Sequence, residues 1–120
     1  MNGVEVVRWP SFDDALQRLK RKYPHIEEDL QKAIAQRAPP RALPSYGNKL
    51  WKLRTGSRDQ GRGKSGGFRV IVYHDRVNDP MHFFLITIYA KSEREDIANA
   101  ELQQLYSRFL SYLSEQRKDQ

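Results

Sequence analysis

The chain contains no cysteine, which excludes disulfides, thiolate metal sites and cysteine nucleophiles together. No apolar run approaches the roughly 18 residues that cross a bilayer, and the opening Met1-Asn2-Gly3-Val4-Glu5 lacks the basic segment and apolar stretch of a secretory signal. These absences predict a cytoplasmic protein with no membrane partner. Histidine is scarce: His25, His74 and His82 are the only imidazoles. A structural zinc site takes four ligands at suitable spacing, so no metal is expected. His74 and His82 either face each other across a hairpin or stand as two exposed strand-end histidines.

What the chain does have is charge, and most of its excess lies in one place. The 120 residues are 38% hydrophobic and 30% charged, which suits one soluble globular domain over residues 1–120 and not a disordered chain. From Lys49 to Arg69 there are seven cations (Lys49, Lys52, Arg54, Arg58, Arg62, Lys64 and Arg69) against the single anion Asp59. That stretch alone carries the net +6 of the whole chain. A localised basic patch is the footprint of a protein that meets a polyanion; a solvated basic loop is the plainer reading.

Hydrophobic periodicity supplies the elements. Val4 to Trp9 is a β-branched run that stops at Pro10 and predicts a strand. Ser11 and Asp14 form a capping-box-like pair for a helix whose stripe is Phe12, Ala15, Leu16, Leu19 and Tyr23. After Pro24 a second helix is predicted from near His25, with Glu27, Glu28 and Asp29 in its first turn and Ile26, Leu30 and Ile34 on one face. The proline-rich stretch Ala38 to Pro44 is a connector. In Lys49 to Arg54 the alternation puts Lys52 and Arg54 on one strand face and Trp51 and Leu53 on the other.

Thr55 to Gly67 holds five of the seven glycines and reads as a long mobile loop. Phe68–Tyr73 and His82–Ala90 predict an antiparallel hairpin around Asn78-Asp79-Pro80. Ser92 with Glu95 reads as a capping box for a closing helix through Ile97, Leu102, Leu105, Phe109 and Leu113, interrupted near Asn99 and fraying at residues 115–120. The predicted fold is therefore α+β, in the order β-α-α-β-β-β-α, with three helices on a mainly antiparallel four-stranded sheet.

Two glycine-rich matches are decoys. Gly61-Arg62-Gly63-Lys64-Ser65-Gly66 fits G-x-G-x-x-G, but a strand follows where a dinucleotide site needs a helix N-terminus. Gly63-Lys64-Ser65 looks like the end of a P-loop, yet the first glycine of that motif falls on Arg58. No cofactor is expected. The aromatic residues lie mostly on strands as core, with Tyr89 set apart because it ends a strand beside Lys91, where it can stack on a base or hydrogen-bond to a phosphate.

Three segments carry a resemblance: Trp51-Lys52-Leu53-Arg54, Gly63-Lys64-Ser65-Gly66-Gly67-Phe68-Arg69-Val70-Ile71-Val72-Tyr73, and Ile88-Tyr89-Ala90-Lys91-Ser92-Glu93. They resemble the RelE/ParE superfamily of toxins from bacterial toxin–antitoxin operons, and the GKSGGFR string is most similar to its HigB-like branch. The resemblance implies a ribosome-dependent RNase that enters the A site and cuts mRNA there. It also implies a cognate antitoxin, commonly a helix-turn-helix DNA-binding protein, as partner alongside ribosome and mRNA.

The side chains suit that chemistry. Self-cleavage of RNA needs a 2′-hydroxyl aligned with its phosphate, a proton acceptor, stabilisation of extra negative charge and a proton donor. Lys52, surrounded by cations that favour its neutral form, is the expected base. Arg54 and Arg69 hold their protons and clamp phosphate oxygens, Arg69 chiefly. Lys91 matches a basic position of the family and is assigned to charge stabilisation or leaving-group protonation. RelE-like members often carry an arginine after this lysine and a tyrosine further on, where this chain has Ser92 and Ala98, so the general acid is left open. Lys49, Arg58, Arg62, Lys64 and Tyr89 are expected to bind RNA without cutting it. Two other readings stay beside this one: a ParE-like binder that poisons DNA gyrase, and a degenerate toxin that only binds its antitoxin.

Overall fold

The computed structural model describes residues 4–36, 40–61 and 66–118. Strand β1 (Glu5–Arg8) leads into helix α1 (Pro10–Lys20) and helix α2 (Ile26–Ala35). A two-residue strand β2 (Arg41–Ala42) and a 3₁₀ turn (Pro44–Tyr46) precede β3 (Leu50–Thr55), β4 (Phe68–Asp75), β5 (Asp79–Ala90) and helix α3 (Asn99–Lys118). The five strands form one sheet in the order β1-β5-β4-β3-β2, antiparallel except where β1 runs parallel to β5. The architecture is the α+β one predicted, with five strands instead of four. The extra strand is β2: two residues of the predicted connector pair with Lys52 and Trp51 of β3, too few to leave a periodic signal in the sequence.

The sheet is buried on both faces. On one, Phe12, Leu16 and Leu19 of α1 and Ile26 and Leu30 of α2 pack against Trp51, Leu53, Val70, Val72, Leu85 and Ile88. On the other, Leu102, Leu105, Phe109 and Leu113 of α3 cover Leu50, Ile71, Tyr73, Phe84 and Ile86. The alternation in β3 thus assigns its faces as expected. Helix α3 does not extend over the Lys52–Arg54 end of its face, and that end becomes a cleft.

Both expected serine caps take other work. Helix α1 starts at Pro10, because proline at the first helical position needs no N–H partner and presets φ; Trp9 is then the cap residue. The Ser11 hydroxyl donates instead to the Ile86 carbonyl and fastens α1 to β5. Ser92 does not start α3: that helix begins at Asn99, residues 91–98 form a non-helical connection that opens with a turn at 91–93, and the Ser92 hydroxyl accepts from Gln60 Nε2 at 3.2 Å.

The first part of the predicted mobile loop is anchored. Asp59 accepts from the His25 backbone N–H at 2.8 Å and pairs with His25 Nδ1 at 2.7 Å, so it caps the start of α2. Asp29 in turn accepts the Arg58 N–H at 3.0 Å. At the hairpin, His74 and His82 do not meet. His74 bonds the Pro80 carbonyl and stacks on Phe83, 4.1 Å between centroids, while His82 pairs with Asp79 at 2.8 Å and stacks on Phe84.

Candidate active site

Strand register builds the site. Arg41 of β2 lies opposite Lys52 of β3, Arg54 opposite Arg69 of β4, and Arg69 opposite Tyr89 of β5. Directly opposed like charges destabilise a sheet, yet here two arginines are paired across neighbouring strands and one of them is buried. Lys91 lies just beyond β5, fixed by its backbone N–H donating to the Gly67 carbonyl at 3.0 Å. Arg41, Lys52, Arg54, Arg69, Tyr89, Lys91, Glu95 and Asp96 together line a cleft of about 230 Å³. Five cations meet two carboxylates there.

The four residues expected to carry chemistry, Lys52, Arg54, Arg69 and Lys91, all reach this cleft. Lys52 is mostly covered, and its Nζ lies 2.8 Å from Asp96 Oδ1. The ring of cations read from the sequence is therefore not its whole environment. Arg69 is 3% exposed and donates to the Phe68 carbonyl at 3.2 Å. Burial, and then the neighbouring Arg54, draw its guanidinium below the ordinary arginine range. Arg54 is exposed at the cleft mouth. Lys91 forms an ion pair with Glu95 at 3.5 Å.

The residues expected to dock RNA do not converge in the same way. Lys49 lies at the opposite end of β3, 3.7 Å from the buried Asp75 carboxylate. Arg58 pairs with Glu28 at 2.8 Å beside α2. Arg62 and Lys64 lie outside the described residues. Tyr89 is in the cleft, but its ring is 4% exposed and the Arg94 guanidinium lies 5.1 Å over it, which leaves no open face for a base. Its hydroxyl donates to Asp96 Oδ1 at 3.0 Å. Burial, followed by the Asp96 contact, holds that phenol well above its ordinary range, so it remains a donor.

Arg41 and Asp96 were missed by the sequence reading. Arg41 had no signal, since a basic residue in a proline-rich stretch has no period to place it. Asp96 was hidden in the acidic run Glu93-Arg94-Glu95-Asp96, which reads as the start of a helix. Its carboxyl is held below the ordinary aspartate range chiefly by the Lys52 hydrogen bond, helped by the Ile97 N–H and the Tyr89 hydroxyl and opposed by burial.

Such a cleft can bind a phosphodiester and offset charge that develops on it. Three guanidinium groups present forked donors, two ammonium groups present mobile ones, and one buried wall raises the strength of each contact. Comparison with known families gives a match over residues 13–119 to the model described as RelE toxin of RelE / RelB toxin-antitoxin system.

Proposed function

We propose, from the premise that the chain belongs to the RelE toxin family, that it is a ribosome-dependent endonuclease that cuts mRNA and arrests translation. Membership makes it a toxin of a toxin–antitoxin system, with an antitoxin as its partner. The match is to the RelE family and does not single out the HigB-like branch. That branch and a helix-turn-helix antitoxin belong to the proposal, on the GKSGGFR resemblance.

One observation carries the reading: Lys52, Arg54, Arg69 and Lys91, from two neighbouring strands and the turn after a third, line one cleft of about 230 Å³. In the proposed reaction Arg54 and Arg69 bind the scissile phosphate and offset its added charge. Lys52 takes the proton of the 2′-hydroxyl, the 2′-oxygen bonds to phosphorus, and the bond to the 5′-oxygen breaks. Lys91 protonates that leaving oxygen. The products are a 2′,3′-cyclic phosphate and a 5′-hydroxyl.

The test is primer extension on mRNA in a purified translation system with and without ribosomes. Cuts that need ribosomes are the expected result, and they should disappear in Lys52→Ala and Arg69→Ala variants whose circular dichroism matches the parent. Removing a general base costs roughly 10²- to 10⁴-fold in rate, so cleavage by Lys52→Ala should fall below detection in a short assay. Intact mRNA under both conditions, with induction of the DNA-damage response in cells, would transfer the reading to a gyrase poison. Intact mRNA and no toxicity on overexpression would indicate a protein that only binds its antitoxin.

A further inference from the structure

Asp96 stands inside the cationic cleft with three donors on a single oxygen. Its Oδ1 accepts from Lys52 Nζ at 2.8 Å, from the Tyr89 hydroxyl at 3.0 Å and from the Ile97 N–H at 2.8 Å. Those donors belong to β3, to β5 and to the turn before α3, so one atom joins three elements around the cleft. The Asp96 side chain as a whole is 60% exposed. A carboxylate at this position opposes the binding of a phosphate, so what it contributes to the cleft lies in the groups it holds.

We propose that Asp96 is a positioning residue that aims Lys52 at the reacting 2′-oxygen; the inference rests on the RNA-cleavage reading above. Lysine carries its charge on a flexible four-carbon stem with freely rotating donors, and a proton acceptor that wanders loses the advantage of a fixed approach. The ammonium form has three N–H groups; the neutral amine has two and one lone pair. With one N–H held by Asp96 Oδ1, the lone pair of the neutral amine is directed away from the carboxylate, toward the space where Arg54 and Arg69 hold the phosphate. The contact survives the step, because the nitrogen donates to Asp96 both before and after it takes the 2′-hydroxyl proton. The Tyr89 hydroxyl and the Ile97 N–H keep the carboxylate from turning with its lysine.

What Asp96 supplies on this account is an acceptor oxygen at a fixed place. Asparagine retains that oxygen. Serine is too short to reach Lys52, and following the unfolding of each variant separates loss of positioning from loss of local support of the turn. The experiment is single-turnover cleavage of a defined mRNA on programmed ribosomes by the full-length toxin, at varied toxin concentration, with thermal unfolding followed for each variant. Asp96→Ser and Asp96→Ala should lower the maximal rate by roughly a hundredfold, the loss expected for a misplaced reacting group. The half-saturating concentration should stay where it is, and Asp96→Asn should recover most of the rate.

A full maximal rate in Asp96→Ser overturns the proposal, as does a change confined to the half-saturating concentration. If Asp96→Asn is as slow as Asp96→Ser, the negative charge itself is required, and the positioning role is again wrong. A wild-type toxin that leaves mRNA intact removes the cleavage reading and this inference with it. A wild type that cuts, beside an equally active Asp96→Ser, removes only the inference.

Discussion

Gly67 illustrates how a single residue fixes the cleft. A Cβ at this position would lie 2.1 Å from the Thr55 carbonyl oxygen and 2.8 Å from the Gly56 carbonyl carbon, both backbone atoms that cannot rotate away. The glycine is there for close approach between the end of β3 and the start of β4, and its own carbonyl holds the Lys91 N–H. Gly67→Ala should therefore destabilise the protein by about 1–3 kcal/mol, the usual cost of forcing extra volume into a packed site. Urea unfolding measures it; an unchanged midpoint would show that the strands can part without cost. In the sequence Gly67 is one of five glycines in a stretch that reads as flexible, and nothing there distinguishes a glycine needed for packing from one needed for a turn. Lys52 and Arg54 were legible because alternation in a strand is a property of neighbours. Asp96 was not, because its partners are far away in the chain.

At the scale of elements, the attachment of residues 57–61 to α2 depends on pH. Asp59 raises the His25 imidazole above its ordinary value of 6.5, through its hydrogen bond first and its charge second, and His25 lowers Asp59 below 3.8. A raised histidine contributes its full share below 6.5 and loses it as pH rises through the folded value; a lowered aspartate contributes above 3.8 and loses it in acid. Attachment is thus strongest in mildly acidic solution and weaker above neutrality. Hydrogen exchange at the Arg58 amide, corrected for intrinsic rate, should be faster at pH 8 than at pH 6 in the parent, and the difference should vanish in His25→Ala. Equal protection at both values would mean that the contacts independent of the imidazole charge, the His25 N–H to Asp59, the Arg58 N–H to Asp29 and the Arg58–Glu28 pair, hold the segment. The helices and the long strands were readable from hydrophobic period. The start of α3 and the strand β2 were not: a serine followed by acids resembles a cap whether or not its backbone is helical, and β2 is defined only by what it pairs with.

For the molecule as a whole, the sheet is a floor shared by two cores, and Phe109 anchors the second. It is fully buried, with its ring 5.4 Å from Trp9, 4.8 Å from Tyr73 and 5.0 Å from Phe84. Phe109→Ala should cost about 3–5 kcal/mol, a large part of the roughly 5–15 kcal/mol that holds a domain together, and chemical denaturation would register it. A cost under about 1 kcal/mol, within the range of a surface change, would mean that α3 contributes little to the fold. Strand parity in the sequence tells which strand residues share a face, but that α1 and α2 cover one face and α3 the other is visible only in the packing.

Strand β1 has a different kind of consequence. Glu5 pairs with His82 and Arg8 with Leu85, so the first strand to leave a ribosome waits for the last one before it finds its place. Contacts of such long sequence separation form slowly. Every wall of the cleft, from Arg41 to Asp96, must likewise have emerged before the cleft exists. The timing of synthesis thus withholds the cleft from the nascent chain until the residues from Arg41 to Asp96 are free to fold together.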